Sequence, residues 1–166
     1  MSGAAAGREA PFRARVERGD DVRVVAFHLG GELHGCDIAL VEEVVTRQRI
    51  HPLPDLPPEV RGVLLLRGEM VPVLDVADAL GVYGGEGERA AVLVVGIGST
   101  RVGVAADRME EVLEVPPEAL RPAPHTGGER DQYVVAVARM PAGLVNLIDL
   151  AELLRERTTL ETREQR

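Results

Sequence analysis

The residues best suited to chemistry are four histidines scattered along the 166-residue sequence. A metal site or an acid–base pair would need at least two of them to converge. The runs VRVVAFHL and ELHGCDI flank two glycines and predict a hairpin with a two-residue turn. That register pairs Phe27 with His34 and places His28 on the opposite face. The histidines therefore predict no metal pair.

Other candidates for catalysis are equally weak. The adjacent glutamates Glu42-Glu43 and Glu110-Glu111 resemble acid–base dyads, but neighbouring residues on a strand or helix point apart. Cys36 has apolar neighbours and no adjacent basic residue, which is typical of a neutral packing thiol. The glycines of Gly96-Ile97-Gly98 precede a strand-like run where a phosphate loop needs a helix. We predict no catalytic residue, no metal and no cofactor.

Composition narrows the class of partner. The chain carries 27 acidic against 19 basic residues, so its net charge of −8 disfavours nucleic acid. The longest apolar run, Ala90 to Gly98, is too short to span a bilayer, which predicts no direct membrane insertion. A single cysteine excludes an internal disulfide and suits a reducing compartment. We therefore expect a cytoplasmic protein.

The pattern of apolar residues predicts a mainly β chain. Runs of Val, Leu and Ile bounded by Gly, Pro or charge predict strands throughout the region from residue 21 onward. Short helices are predicted at IALVEEV, at VADALG after Asp75, at DRMEEV, and at LAELLRER after Asp149. Asp75 and Asp149 are suited to be helix N-caps. Residues 1–20 show no periodicity, so we expect a mobile tail.

One module occurs twice in the sequence. ELHGCDIALVEEVV, from Glu32, aligns without a gap with TRVGVAADRMEEVL, from Thr100, and VRGVLLLRGEMVPVLDVADAL resembles VVAVARMPAGLVNLIDLAELL. Each copy holds about five short strands, which would close best as a small barrel. We predict a domain over 21–157 with barrels at roughly 21–88 and 89–157, strands being free to cross between them, and a mobile C-terminus over 158–166.

VRGVLLLRGEMVPVLDVADALG, preceded by LVEEVVTRQRIHPLPDLPPE, resembles the CheW family of bacterial chemotaxis coupling proteins. The resemblance extends into the second copy and covers roughly residues 21–155. It implies two SH3-like five-stranded β-barrels packed together with a groove between them. It also implies a non-catalytic adaptor, recruited to membrane-associated receptor arrays, that binds the cytoplasmic tip of methyl-accepting chemoreceptors and the regulatory domain of the histidine kinase CheA.

The resemblance also selects residues for partner binding. Positions matching Arg67 and Glu43 are implicated in assembly in the family, so Arg67 is predicted to be a polar anchor at the partner surface. The alternative is an ion pair with Glu43 or Asp75 that stabilises the turn. Because the family more often has a bulkier apolar or aromatic residue at the position of His34, we expect His34 to be a half-buried core residue.

Three further residues complete the predicted partner site, each with a structural alternative. Val41 and Val44 flank the acidic pair and would supply apolar contact area, or else belong to the core. Gly62 would offer a flat spot for a partner, or else meet a backbone requirement for positive φ.

Three hypotheses of function follow. The first is a coupling adaptor between receptor tips and a CheA-type kinase. The second keeps the scaffold but assigns it to a dedicated motility or developmental pathway with a single partner. The third is a small enzyme or ligand-binding barrel that uses the groove, although the sequence offers neither convergent polar groups nor an aromatic lining for one.

Overall fold

Two β-sheets make up most of the protein, which confirms the mainly β prediction. The structure is a computed structural model that describes residues 10–46, 49–82 and 90–164, with side chains described as far as residue 157. The helices and strands are α1 (Phe12–Glu17), β1 (Val22–Leu29), β2 (Glu32–Asp37), β3 (Val41–Thr46), β4 (Val60–Leu66), β5 (Glu69–Leu74), β6 (Ala91–Ile97), β7 (Thr100–Ala106), β8 (Arg108–Val115), β9 (Leu120–Pro122), β10 (Val134–Met140), β11 (Gly143–Ile148) and α2 (Leu150–Glu164).

Each sheet encloses a core of its own, and a third core lies between the sheets. Sheet I has the order β3-β6-β7-β5-β4, and sheet II has the order β8-β1-β2-β11-β10-β9. Alternation along β6 shows how one strand serves two cores, since successive side chains point to opposite faces. Val92 and Val94 pack inside sheet I, whereas Leu93 and Val95 join the apolar cluster between the sheets.

The two copies of the module exchange their first hairpins. The β1–β2 hairpin pairs with β8 and β11 of the second copy, while the matching β6–β7 hairpin pairs with β3 and β5 of the first. The repeat is therefore preserved in the sheets, with β2–β11 and β5–β7 as matching parallel pairs. Contiguous barrels over 21–88 and 89–157 do not coincide with the sheets, because strands cross at both hairpins.

The N-terminal region differs from the expected mobile tail. Residues 1–9 lie outside the described residues, but Phe12–Glu17 form the helix α1. Phe12 and Val16, one turn apart, are both buried in the core of sheet II. Arg15 forms an ion pair with Asp37 that fastens the helix to the end of β2. Two apolar residues on one face and one ion pair thus dock this segment.

Two predicted helices are strands. The segment IALVEEV forms a short 3₁₀ turn that leads into β3. The segment DRMEEV forms the start of β8. Their glutamates favour helix, but β-branched valines and pairing with β6 and β1 determine the outcome. VADALG forms turns at which Asp75 accepts a hydrogen bond from the Ala77 amide, and Asp149 caps α2 by accepting one from the Glu152 amide.

The C-terminal helix is longer than predicted. Helix α2 runs to Glu164, although the fold was expected to end at residue 157. In its first turns, three side chains pack into the core between the sheets: Leu150, Leu153 and Leu154. Once these are docked, each further residue adds a backbone hydrogen bond without the cost of nucleating a new helix, so the helix continues. In the described part of the chain, no helix combines the length and apolarity needed to cross a membrane.

Candidate functional site

The β4–β5 hairpin turns through two residues, Arg67 and Gly68. Both have positive φ, +51° for Arg67 and +80° for Gly68. Two-residue turns with positive φ at both positions match the right-handed twist of the strands that they connect. The β1–β2 hairpin meets the same requirement with two glycines, at +61° and +82°. An arginine at such a position is strained, since only glycine adopts this backbone freely and asparagine or aspartate tolerates it. Turn geometry therefore does not explain the choice of arginine.

The guanidinium of Arg67 faces Glu43 on β3. Its Nη1 donates to Oε2 at 2.7 Å and its Nη2 donates to Oε1 at 3.2 Å. Because β3 and β4 are the two outer strands of sheet I, this pair links the turn after β4 to the opposite edge of the sheet. We call it the Arg67–Glu43 clasp. It settles which carboxylate pairs with Arg67, since Asp75 is bound by Arg61 at the opposite end of the hairpin.

The clasp is exposed on its arginine side. The side chain of Arg67 is 69% exposed and that of Glu43 is 26% exposed. An ion pair so open to water contributes about 0–1 kcal/mol to stability. The fold thus depends little on the pair, and the arginine is available to a partner.

A β-bulge at Val41–Glu43 corrects the expectation that adjacent glutamates point apart. The register of β3 against β6 shifts there, and both carboxylates bind arginines at the same end of sheet I. Glu43 binds Arg67, and Glu42 binds Arg101, whose Nε lies 3.0 Å from Oε2. Arg101 also donates to Glu69 at 2.8 Å.

Apolar side chains are exposed on the same two elements that the clasp joins. Leu65 and Met70 are cross-strand partners on the β4–β5 hairpin, and the two residues are 53% and 58% exposed. Val44 follows Glu43 on β3 and is also exposed. Guanidinium, carboxylate and apolar groups together are the composition of a protein-binding surface.

Val41 and Gly62, the other predicted site residues, are less accessible. Val41 packs partly against the core between the sheets. Gly62 is buried, and a Cβ there would lie 2.3 Å from the carbonyl oxygen of His51. Its φ of +147° also favours glycine. The close approach at Gly62 is therefore made by the chain's own backbone.

His34 and Cys36, two titratable residues of the core, are both held in their neutral forms near pH 7. His34 is fully buried rather than half-buried, it stacks at 5.7 Å on Phe27, and burial lowers its pKa to about 4. Burial raises the pKa of the Cys36 thiol to about 12, so no thiolate forms near neutral pH. Within the ranges that the structure describes, no three His, Cys, Asp or Glu side chains are grouped to hold a metal.

The second copy keeps the apolar part of this surface but not the clasp. Val112 and Leu144, which match Val44 and Met70 in the repeat, are also exposed. The turn that matches Arg67-Gly68 lies between Met140 and Gly143 and contains no arginine. The turn arginine and its ion pair with Glu43 thus belong to sheet I.

Sequence reasoning missed Leu65, Met70, Glu42, Glu69 and Arg101 as members of this surface. Strand alternation could have placed Leu65 and Met70 outside, since Leu64, Leu66 and Val71 are the apolar neighbours that face inward. The ion pairs of Arg101 leave no trace in the sequence, because Arg101 and its two partners lie on three separate strands.

Comparison with known proteins finds one family model and several similar proteins. The family model described as CheW-like domain matches residues 23–158. The chain is 29% identical over 130 residues to the chemotaxis protein CheW of Klebsiella aerogenes, covering 77% of this chain and 78% of that protein. It is 30% identical over 133 residues to the protein FrzA of Myxococcus xanthus, covering 77% and 82%.

A solved structure agrees with these relatives. The scaffolding protein TtCheW from Thermoanaerobacter tengcongensis matches with a TM-score of 0.65 and 28% identity, over 77% of this chain and 88% of that one. The agreement extends to the two packed subdomains and the C-terminal helix.

Proposed function

The chain belongs to the CheW-like domain family, and we propose that it couples the cytoplasmic tips of methyl-accepting chemoreceptors to a CheA-type histidine kinase. Membership makes it a chemotaxis scaffold, one that acts by holding partners together rather than by catalysis. The identity of the two partners is our proposal. So is the location of the protein in the cytoplasm at membrane-associated receptor arrays.

One observation supports it most strongly: the arginine in a turn where glycine would be unstrained. Backbone strain at an exposed residue that contributes little to stability points to selection for function. A guanidinium at the tip of a rigid hairpin can replace its bidentate contact to Glu43 by one to a partner's carboxylate or carbonyl groups.

We assign the predicted site residues two roles. Arg67, Glu43 and Val44 contact the partner, with Leu65 and Met70 enlarging the apolar area. Val41 and Gly62 support this surface from below, because both lie against other parts of the chain.

Titration calorimetry with a CheA-type regulatory domain and with a receptor-tip fragment tests the proposal. We expect the protein to bind both, and we expect Arg67→Ala to weaken one of the two contacts by about tenfold, as at a moderate hot spot. Arg23→Ala is the matched control, since Arg23 also pairs with a glutamate across strands and is 62% exposed, but lies on sheet II. Folded protein that binds neither partner would refute the coupling role.

A second candidate is a scaffold of a dedicated motility or developmental pathway. The similarity to FrzA, at 30% identity against 29% for CheW of Klebsiella aerogenes, favours keeping it. The same titrations separate the two, because this candidate predicts binding to one partner and none to the other.

A further inference from the structure

Arg101 joins three strands of sheet I at the end that holds the clasp. It lies at the start of β7, contacts Glu42 on β3 at 3.0 Å and donates to Glu69 on β5 at 2.8 Å. Glu42 is the immediate neighbour of Glu43, and Glu69 is two residues from Arg67. Each end of the Arg101 bridge thus adjoins one half of the clasp.

Strand β6 lies between β3 and β7, and it has a glycine where the side chains of Glu42 and Arg101 meet. Gly96 on β6 pairs with Arg101, and a Cβ at Gly96 would touch the Glu42 carboxyl at 3.6 Å. The carboxyl group of Glu42 therefore lies over a residue without a side chain on its way to Arg101.

Sheet II shows what happens without this arrangement. The repeat places His28 where sheet I has Gly96, and Leu33 where it has Arg101. His28 holds Glu110, the counterpart of Glu42, at 2.7 Å, and Leu33 is buried in the core. Two positions have diverged together, and the copy with the arginine bridge is the copy with the clasp.

We propose that Arg101 is a positioning residue that holds Glu43 and Arg67 in the geometry that a partner recognises. The inference rests on the proposed function of the clasp. A single exposed ion pair is weak, but an arginine shared by two carboxylates orders β3 and the β4–β5 turn before binding. Preorganisation of this kind raises affinity because less freedom is lost on association.

A double-mutant cycle on partner affinity tests this role. We expect Arg101→Leu, which installs the residue of the matching position, to weaken by about fivefold the contact that Arg67→Ala weakens. The double variant should bind no more weakly than Arg67→Ala alone, because Arg101 acts through the clasp. Arg61→Leu is the matched control: Arg61 pairs with Asp75 at 2.8 Å and is 40% exposed, against 37% for Arg101, but lies at the other end of β4. It should leave affinity unchanged.

Each outcome decides the matter. Additive losses would mean that Arg101 contacts the partner by itself, and an unchanged affinity would mean that it has no part in binding; either overturns the positioning role while the proposed function stands. Should Arg101→Leu fail to fold, Glu69→Gln removes one end of the bridge at an exposed carboxylate and must show the same coupling to Arg67. If the unmodified protein binds neither partner, the proposed function fails and this inference with it.

Discussion

At the scale of single residues, Arg67 and His34 each stand where a simpler residue would serve the fold. Arg67 has a left-handed backbone that glycine adopts without cost, and His34 has an imidazole inside an apolar core where the matching residue of the repeat is Val102. The first is exposed and available to a partner. The second is closed off from solvent, so its effect is on stability alone.

His34 should make the protein sensitive to acid. Burial holds its pKa at about 4 against 6.5 in the unfolded chain, so the unfolded state binds the proton first as the pH falls. The stability that comes from keeping His34 neutral is complete above pH 6.5 and is lost as the pH falls towards 4, by about 3 kcal/mol in total. We expect His34→Val to remove this part of the pH dependence in urea unfolding measured from pH 7 to pH 4.

The control for that experiment is His125→Ala, which alters a histidine that is almost fully exposed. The loss of stability that His34 causes towards pH 4 should remain in this variant, because the buried histidine is still present. Equal slopes for His34→Val and the unmodified protein would contradict the assignment to His34.

Gly62 should be required for stability. Gly62→Ala places a methyl group against the carbonyl of His51 at a φ of +147°, so we expect a loss of about 2–4 kcal/mol in the free energy of unfolding. Gly143→Ala is the control, because Gly143 also has a positive φ, +122°, but a Cβ there would meet open space. It should lower the free energy of unfolding by about 1 kcal/mol. If Gly62→Ala unfolds like the unmodified protein and loses a partner instead, Gly62 is a contact residue.

At the scale of elements, helix α1 shows that a short helix is hard to predict from its sequence. Phe12 and Val16 share one helical face, but two apolar residues in six are too few to predict a helix. By contrast β1 coincides with the predicted strand run VRVVAFHL, and β6 lies within the long apolar run from Ala90 to Gly98. The pair Arg67–Glu43 was foreseen as an alternative because a turn arginine needs a partner, whereas the Arg101 bridge depends on tertiary pairing.

Helix α1 should contribute to the stability of sheet II. Phe12→Ala removes a buried ring from its core, and we expect the free energy of unfolding to fall by about 3–5 kcal/mol. Glu17→Ala on the exposed face of the same helix should change it by less than about 0.5 kcal/mol. Chemical denaturation measures both, and equal effects would mean that the helix is not docked.

At the scale of the whole molecule, the exchange of hairpins links the two copies into one unit. The strand patterns of the copies are alike, so the sequence alone could not decide whether each hairpin pairs within its copy or across. Glycines at matching positions lie where the exchanged strands meet: a Cβ at Gly35 would lie 3.3 Å from Val145, and one at Gly103 would lie 3.2 Å from Val73. The two exchanged contacts are thus nearly alike in the two sheets.

Fragments cut at residue 86 should therefore fold only together. The first fragment holds β1 and β2 but lacks β8 and β11, with which they pair, and the second lacks the partners of β6 and β7. We expect neither fragment alone to unfold cooperatively in circular dichroism, and an equimolar mixture to regain the transition of the intact chain. A cooperative transition in either fragment alone would show that a copy folds without exchange.

Coupling requires that both partners be held at once, and sedimentation velocity on the mixed components measures this directly. The protein, a CheA-type regulatory domain and a receptor-tip fragment should sediment as a ternary species, and Arg67→Ala should reduce the ternary species while Arg23→Ala does not. If the two partners instead displace each other, so that only binary complexes form at any ratio, the protein does not bridge receptor and kinase and the account is wrong.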